Sequence, residues 1–197
     1  MNQPQAKITP TFADQLKAAF ADQLKAGSAP TSLIVPIQPS QKPSEPIQDP
    51  AELKVALIGT APSSRLLAPF NDKSWTIWAC SPGNMNILPR VDVWFELHGN
   101  LLWPENKSYG EPYIAWLKQQ QFPIYMQDQG LVPNANIFPK DDMVKEFGRD
   151  FFTSSFSWMM ALAISKGAKE IALYGIDMAS RDEYILQRPG FYFFRHV

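Results

Sequence analysis

The chain has 197 residues, 45% of them apolar and 19% charged, with 18 basic and 19 acidic side chains and a formal net charge of −1. That balance fits a globular chain and leaves no basic run to hold nucleic acid or an anionic membrane surface. A lone cysteine, Cys80, excludes an internal disulfide framework, and with two histidines it falls short of the usual zinc-ligand set.

At the N-terminus, "MNQPQAKITP" has no apolar core of a secretory leader, and no apolar run is long enough for a membrane helix. The expected setting is the cytoplasm. The heptapeptide "FADQLKA" occurs at 12–18 and again at 20–26. Phe12, Leu16, Phe20 and Leu24 recur at a spacing of four, which predicts an amphipathic helix over 11–26. Thr11 is its N-cap, Asp14 stands in the capping-box position and Gly27 is the stop. A lone helix this short is marginal in water. The segment therefore reads either as one that frays or as one that docks on a protein partner or a second copy. Prolines at 30, 36, 39, 43, 46 and 50, interleaved with Ser, Gln and Lys, predict an extended, semi-rigid linker. The folded domain is expected to span 51–197.

Within it, apolar runs and helical periods alternate. Strands are predicted at 53–58, 75–80, 91–97, 123–126 and 170–174. Helices are predicted at 63–70, 111–121 and 154–166, the last closed by Gly167. The stretch between 127 and 153 reads as a loop of weak structure. Strands of continuous apolar character between helices indicate a parallel sheet covered on both faces. The class is α/β: a Rossmann-like, doubly wound, mainly parallel sheet with an N-terminal helical and proline-rich extension. The closing "GFYFFRHV" is densely aromatic with no stop signal behind it. It predicts a C-terminus that is truncated or completed by a partner.

In such a sheet, ligands bind outside the carboxyl ends of the strands. Four strand ends carry small or polar residues. "GTAPSS" offers Gly59, Thr60, Pro62, Ser63 and Ser64, with backbone N–H groups and hydroxyls suited to an anion. The loop is neither a dinucleotide fingerprint nor a phosphate loop with its lysine. Its other reading is an ordinary turn with a serine cap. "CSPGN" offers Ser81 and Asn84 as hydrogen-bonding partners for a base or ribose, or serves only as a turn. Cys80 reads as a small buried hydrophobe, since no basic neighbour lowers its pKa. In "ELHGN", Glu96 and His98 alternate onto one side of their strand, a carboxylate beside an imidazole that can do acid–base work or lie solvated at the rim. Thr153, Ser154 and Ser155 open an almost wholly apolar helix, a second candidate anion site. Trp158, Met159 and Met160 read as core. Asp177, past the last strand, suits a ribose hydroxyl, a metal or a neighbouring N–H.

These blocks, "LIGTAPSS", "CSPGN" and "TSSFSWMMALAISKGAKEIALYGIDM", resemble the pattern of bacterial sialyltransferases that use CMP-sialic acid. They are similar also to the hydroxymethylpterin pyrophosphokinase family. The match covers about 54–80 and 153–178, and its last block is the most specific. The resemblance extends to phage-encoded chains, which would place the protein in a host cytoplasm or with a virion. It implies that Gly59, Pro62, Ser63, Thr153 and Ser154 hold a cytidine nucleotide, with Ser81 at the place of a strand-two asparagine. Tyr184 is the nearest candidate for the family's phosphate-binding tyrosines. Thr60, Ala61, Ser81 and Ser155 depart from the expected asparagine, glycine, asparagine and glycine. The family's catalytic histidine lies further beyond the last motif than His196 does. Nucleotide binding therefore carries over better than catalysis.

The expected function is a nucleotide- or nucleotide-sugar-binding transferase. Catalysis would rest on His98 or Glu96, no metal ligand set is assigned, and magnesium is the candidate ion if one is used. The alternatives are a non-catalytic phage structural or host-interaction module and a pyrophosphokinase-like phosphotransferase.

Overall fold

The computed structural model describes residues 52–99, 101–102, 109–148, 151–180 and 183–197. The helix expected at 11–26 and the linker after it lie outside the described residues. Six strands form one sheet: β1 Lys54–Ile58, β2 Trp75–Cys80, β3 Val93–Glu96, β4 Ile124–Met126, β5 Asn136–Ile137 and β6 Glu170–Tyr174. Their order is β5-β4-β3-β2-β1-β6, and every pair is parallel. The helices are α1 Glu111–Gln119, α2 Lys140–Phe147, α3 Ser155–Ser165 and α4 Arg188–His196. This is a Rossmann-like α/β fold.

Side-chain alternation divides the core. Val55, Leu57, Trp78, Cys80, Val93 and Phe95 point to one face, where Met159 and Met160 of α3 and Phe194 of α4 cover them. Ala56, Ile58, Ile77, Ala79 and Trp94 point to the other, against Tyr113, Ile114 and Leu117 of α1. β1 and β2 are buried almost throughout because both faces are covered, which is why they read as unbroken apolar runs. The chain steps from β1 outward to β5 and then returns to the far side of β1 as β6. The winding reverses there, between β1 and β6.

Two expectations need correction. The helix predicted over 63–70 is one 3₁₀ turn, Arg65–Leu67. Pro62 and Pro69 bracket the segment, and Pro69 drives Ala68 into extended backbone (φ −62°, ψ 154°), so too few residues remain to nucleate an α-helix. The stretch read as a weak loop contains β5 and α2. β5 is only two residues long, and α2 is mostly polar with Met143 as its buried anchor. Phe194 is 3% exposed beneath α4, with its ring near Phe147 and Phe152.

Candidate functional site

Two structures compete for the carboxyl edge of the sheet. The first is the reversal point itself. Gly59 N–H donates to the Tyr174 carbonyl (2.8 Å) and Ala61 N–H to the Gly175 carbonyl (2.9 Å), so β1 and β6 stay tied beyond their ends. Ser64 Oγ accepts from Gly175 N–H (2.9 Å), and Ser63 Oγ donates to Asp177 Oδ1 (2.6 Å). Gly175 has φ +65°, and a Cβ at Gly59 would stand 2.2 Å from the Gly175 carbonyl oxygen. At the reversal point, where such sheets usually offer a crevice, the two loops are therefore bonded to one another. Asn84, 1% exposed, is equally committed: its Nδ2 donates to the carbonyls of Cys80 (2.9 Å), Gly59 (3.2 Å) and Ile58 (3.3 Å). Arg65 Nη1 donates to the Gly83 carbonyl (3.2 Å), fastening the same loops together.

The second lies over β1, β2 and β3. It is an open cleft of about 390 Å³. Thr60 enters it from the end of β1, Ser81 from β2 and His98 from β3, while Thr153, Ser154 and Ser155 enter from the start of α3. Glu183 and Gln187 close it from the turn before α4, and Tyr109, Phe152, Phe156 and Trp158 supply aromatic walls. Among the described residues that line it there is no lysine or arginine. Ser81 adopts φ +74°, an uncommon conformation for a side-chain-bearing residue, and its Oγ caps the following turn by accepting from Gly83 N–H (3.4 Å).

α3 is apolar on every side and buried, which forces its start to the edge of the core. Ser154 caps it, with Oγ accepting from Ser157 N–H (3.2 Å). Thr153 Oγ1 donates to the Gln187 carbonyl (3.2 Å). Gly190 lets α4 seat there, since a Cβ would stand 2.1 Å from the Phe151 carbonyl oxygen and 2.7 Å from Thr153 Oγ1.

His98 sits beside Glu96 as their spacing predicts. Its Nδ1 lies 2.6 Å from Glu96 Oε1, and its backbone N–H donates to the same oxygen (3.1 Å). The Glu96 side chain is 1% exposed and that of His98 53%. The hydrogen bond to Glu96 raises the His98 pKa above its ordinary 6.5, against the opposing pull of burial. The Tyr113 hydroxyl donates to Glu96 Oε2 (2.8 Å), and Trp94 Nε1–H donates to that hydroxyl (2.8 Å). Burial pushes the Tyr113 and Tyr109 hydroxyls up, with Glu96 adding to both. Burial also pushes the Cys80 thiol up, consistent with a hydrophobe at the floor of the cleft.

Of the residues singled out in the sequence, Thr60, Ser81, His98, Thr153, Ser154 and Ser155 meet in the cleft, with Glu96 behind His98. Gly59, Pro62, Ser63, Ser64, Asn84 and Asp177 do not line it. Tyr184 also does not. It is 57% exposed, and its ring carries the Arg188 guanidinium at 4.7 Å. Tyr109, Tyr113, Glu183 and Gln187 went unread. No motif marks them, and the two tyrosines gain meaning only once α1 is folded against β3. Among the described residues no group of His, Cys, Asp and Glu gathers as metal ligands, and no helix is long and apolar enough to cross a membrane.

No protein-family model matches the chain, and no curated protein matches it significantly. Among solved structures it is similar to the sialyltransferase CstII from Campylobacter jejuni in complex with a substrate analogue, cytidine-5′-monophosphate. The two are 18% identical, with a TM-score of 0.50 over 73% of this chain and 75% of that chain. The likeness is one of fold.

Proposed function

We propose that the chain is a nucleotide- or nucleotide-sugar-binding transferase of the glycosyltransferase type. The observation that carries this reading is the meeting of α3's hydroxyl-rich N-terminus and the Glu96-backed His98 in one cleft. A helix start offers unpaired N–H groups and a partial positive charge to a phosphate. With no lysine or arginine among the described lining residues, the phosphate would rest on those N–H groups and on the Ser155 hydroxyl. The aromatic walls would take the base or the sugar ring. His98, its Nδ1 turned to Glu96, would use Nε2 to remove the proton of an acceptor hydroxyl. The acceptor oxygen would then bond to the sugar carbon as the bond to the nucleotide phosphate breaks, and the leaving phosphate would keep that electron pair. Catalysis would come from placement and charge stabilisation. The fold shared with a sialyltransferase bound to cytidine-5′-monophosphate supports the reading.

The test is a thermal-shift panel of CMP, CDP, CTP, purine nucleotides and CMP-sialic acid, with and without magnesium. A ligand at about one hundred times its Kd stabilises by about 2.7 kcal/mol, which moves Tm by several degrees. A cytidine-selective shift, weakened in Ser155→Ala, is the expected result. No shift from any nucleotide in the folded chain overturns the proposal and favours a non-catalytic module.

A further inference from the structure

Behind His98 lies a polar chain that the sequence did not announce. It runs from Trp94 Nε1–H to the Tyr113 hydroxyl (2.8 Å), from that hydroxyl to Glu96 Oε2 (2.8 Å), and from Glu96 Oε1 to His98 Nδ1 (2.6 Å). Trp94, Tyr113 and Glu96 are each no more than 2% exposed, so water reaches only the His98 end. The chain crosses elements: Trp94 and Glu96 lie on β3 and Tyr113 on α1. A buried network of this kind holds its members in one arrangement when each is satisfied.

We propose that Tyr113, oriented by Trp94, is a positioning residue for His98: it holds one oxygen of Glu96 so that the other fixes the imidazole with Nδ1 inward and Nε2 free. The proposal deepens the transferase reading and rests on it for its catalytic meaning. Its physical content is independent of any substrate. The inward carboxylate accepts from Nδ1–H, and this selects the tautomer whose Nε2 is the basic nitrogen. The Tyr113 hydroxyl also draws off part of the negative charge that Glu96 would otherwise give to His98 alone. Losing that donor leaves the deprotonated pair, with its net negative charge, less well stabilised than the protonated pair. His98 would then hold its proton to higher pH. Among the described residues, the other groups that bear on His98 are few. Tyr109 Oη lies 3.3 Å from Nδ1, the Cys80 thiol stays protonated through burial, and Glu183 stands on the cleft wall with Oε2 accepting from Ser180 N–H (3.2 Å).

The experiment is an NMR titration of the His98 ring in the full chain, with His196→Gln as background so that one histidine remains. Three results are expected. Nitrogen shifts of the parent at high pH report an Nδ1–H tautomer. Tyr113→Phe raises the His98 midpoint. Glu96→Gln lowers it. An unchanged or lowered midpoint in folded Tyr113→Phe overturns the proposal. Should that variant not fold, the parent still decides: an Nε2–H tautomer overturns the proposal, and Nδ1–H with a downfield ring proton lost in Glu96→Gln supports it. Failure of the function reading looks different. There the titrations behave as expected, yet no nucleotide binds and His98→Asn changes no activity.

Discussion

The loops at the ends of β1 and β6 and the cleft over β2 and β3 are built from the same residue types, yet they are internally bonded to different degrees. In the first, hydroxyls and N–H groups find one another: Ser64 serves Gly175, Ser63 serves Asp177, and Asn84 holds three carbonyls. In the second, Ser81, Thr153 and Ser154 are also bonded internally, but Ser155 and the outer edge of His98 face the cleft. A serine after a strand is a binding group only where the fold leaves it without an internal partner. Composition reports what a loop could bind, and topology decides whether it already has.

That contrast can be broken from the first side. Gly59→Ala should have the largest effect, because its Cβ would meet backbone rather than a movable side chain. A loss of about 3 kcal/mol or more by denaturant unfolding is expected. A mild loss would mean that the two strand ends are looser than the contacts imply. Asn84→Ala comes next, at about 1–3 kcal/mol, since buried carbonyls lose their donor. Nucleotide-induced thermal shifts should survive in whatever fraction stays folded. If stability holds and the shifts vanish, Asn84 is a ligand group after all.

A smaller effect comes from pH. His98 is raised by Glu96, so the stabilisation from that pair is complete below about 6.5 and is lost as pH climbs through the raised value. Tm should fall across that window, and Glu96→Gln should flatten the fall. An identical slope in both would remove the pair from the stability argument. The smallest effects form a crossed pair. Ser63→Ala should cost at most about 0.5 kcal/mol of stability and leave nucleotide affinity alone. Ser155→Ala should leave stability alone and weaken affinity about fivefold, equivalent to about 1 kcal/mol. Isothermal titration of both variants checks this, and reversed roles would exchange the two regions.

Much of the fold was legible because its signals are local. The runs at Trp75–Cys80 and Glu170–Tyr174 are strands at the boundaries expected, and α3 declared itself through a long apolar period ended by Gly167. β5 and α2 escaped because one is too short to show a period and the other buries little more than Met143. The site was half legible. Glu96 and His98 were paired by strand alternation alone, and the α3 start by its hydroxyls. Tyr113 stayed hidden because its role depends on α1 crossing β3, a tertiary fact without a local signature. Asn84 was misleading for the same reason: a turn asparagine looks free until the neighbouring strand ends arrive.

The placement of β1 has a consequence for how the chain acquires its structure. Lys54 pairs with Trp75 on one side and with Glu170 on the other, so one neighbour lies close along the chain and the other far away. The near pairing closes a short loop, whereas the far one closes a much longer loop at a higher entropic cost. Until β6 pairs with it, β1, with Val55 to Ile58 buried in the finished fold, presents a bare hydrogen-bonding edge. That interval is when chains would stick to one another, and strand pairing with a second molecule would compete with the native β1–β6 ladder. Refolding yield should therefore fall as protein concentration rises, even where the finished fold is stable.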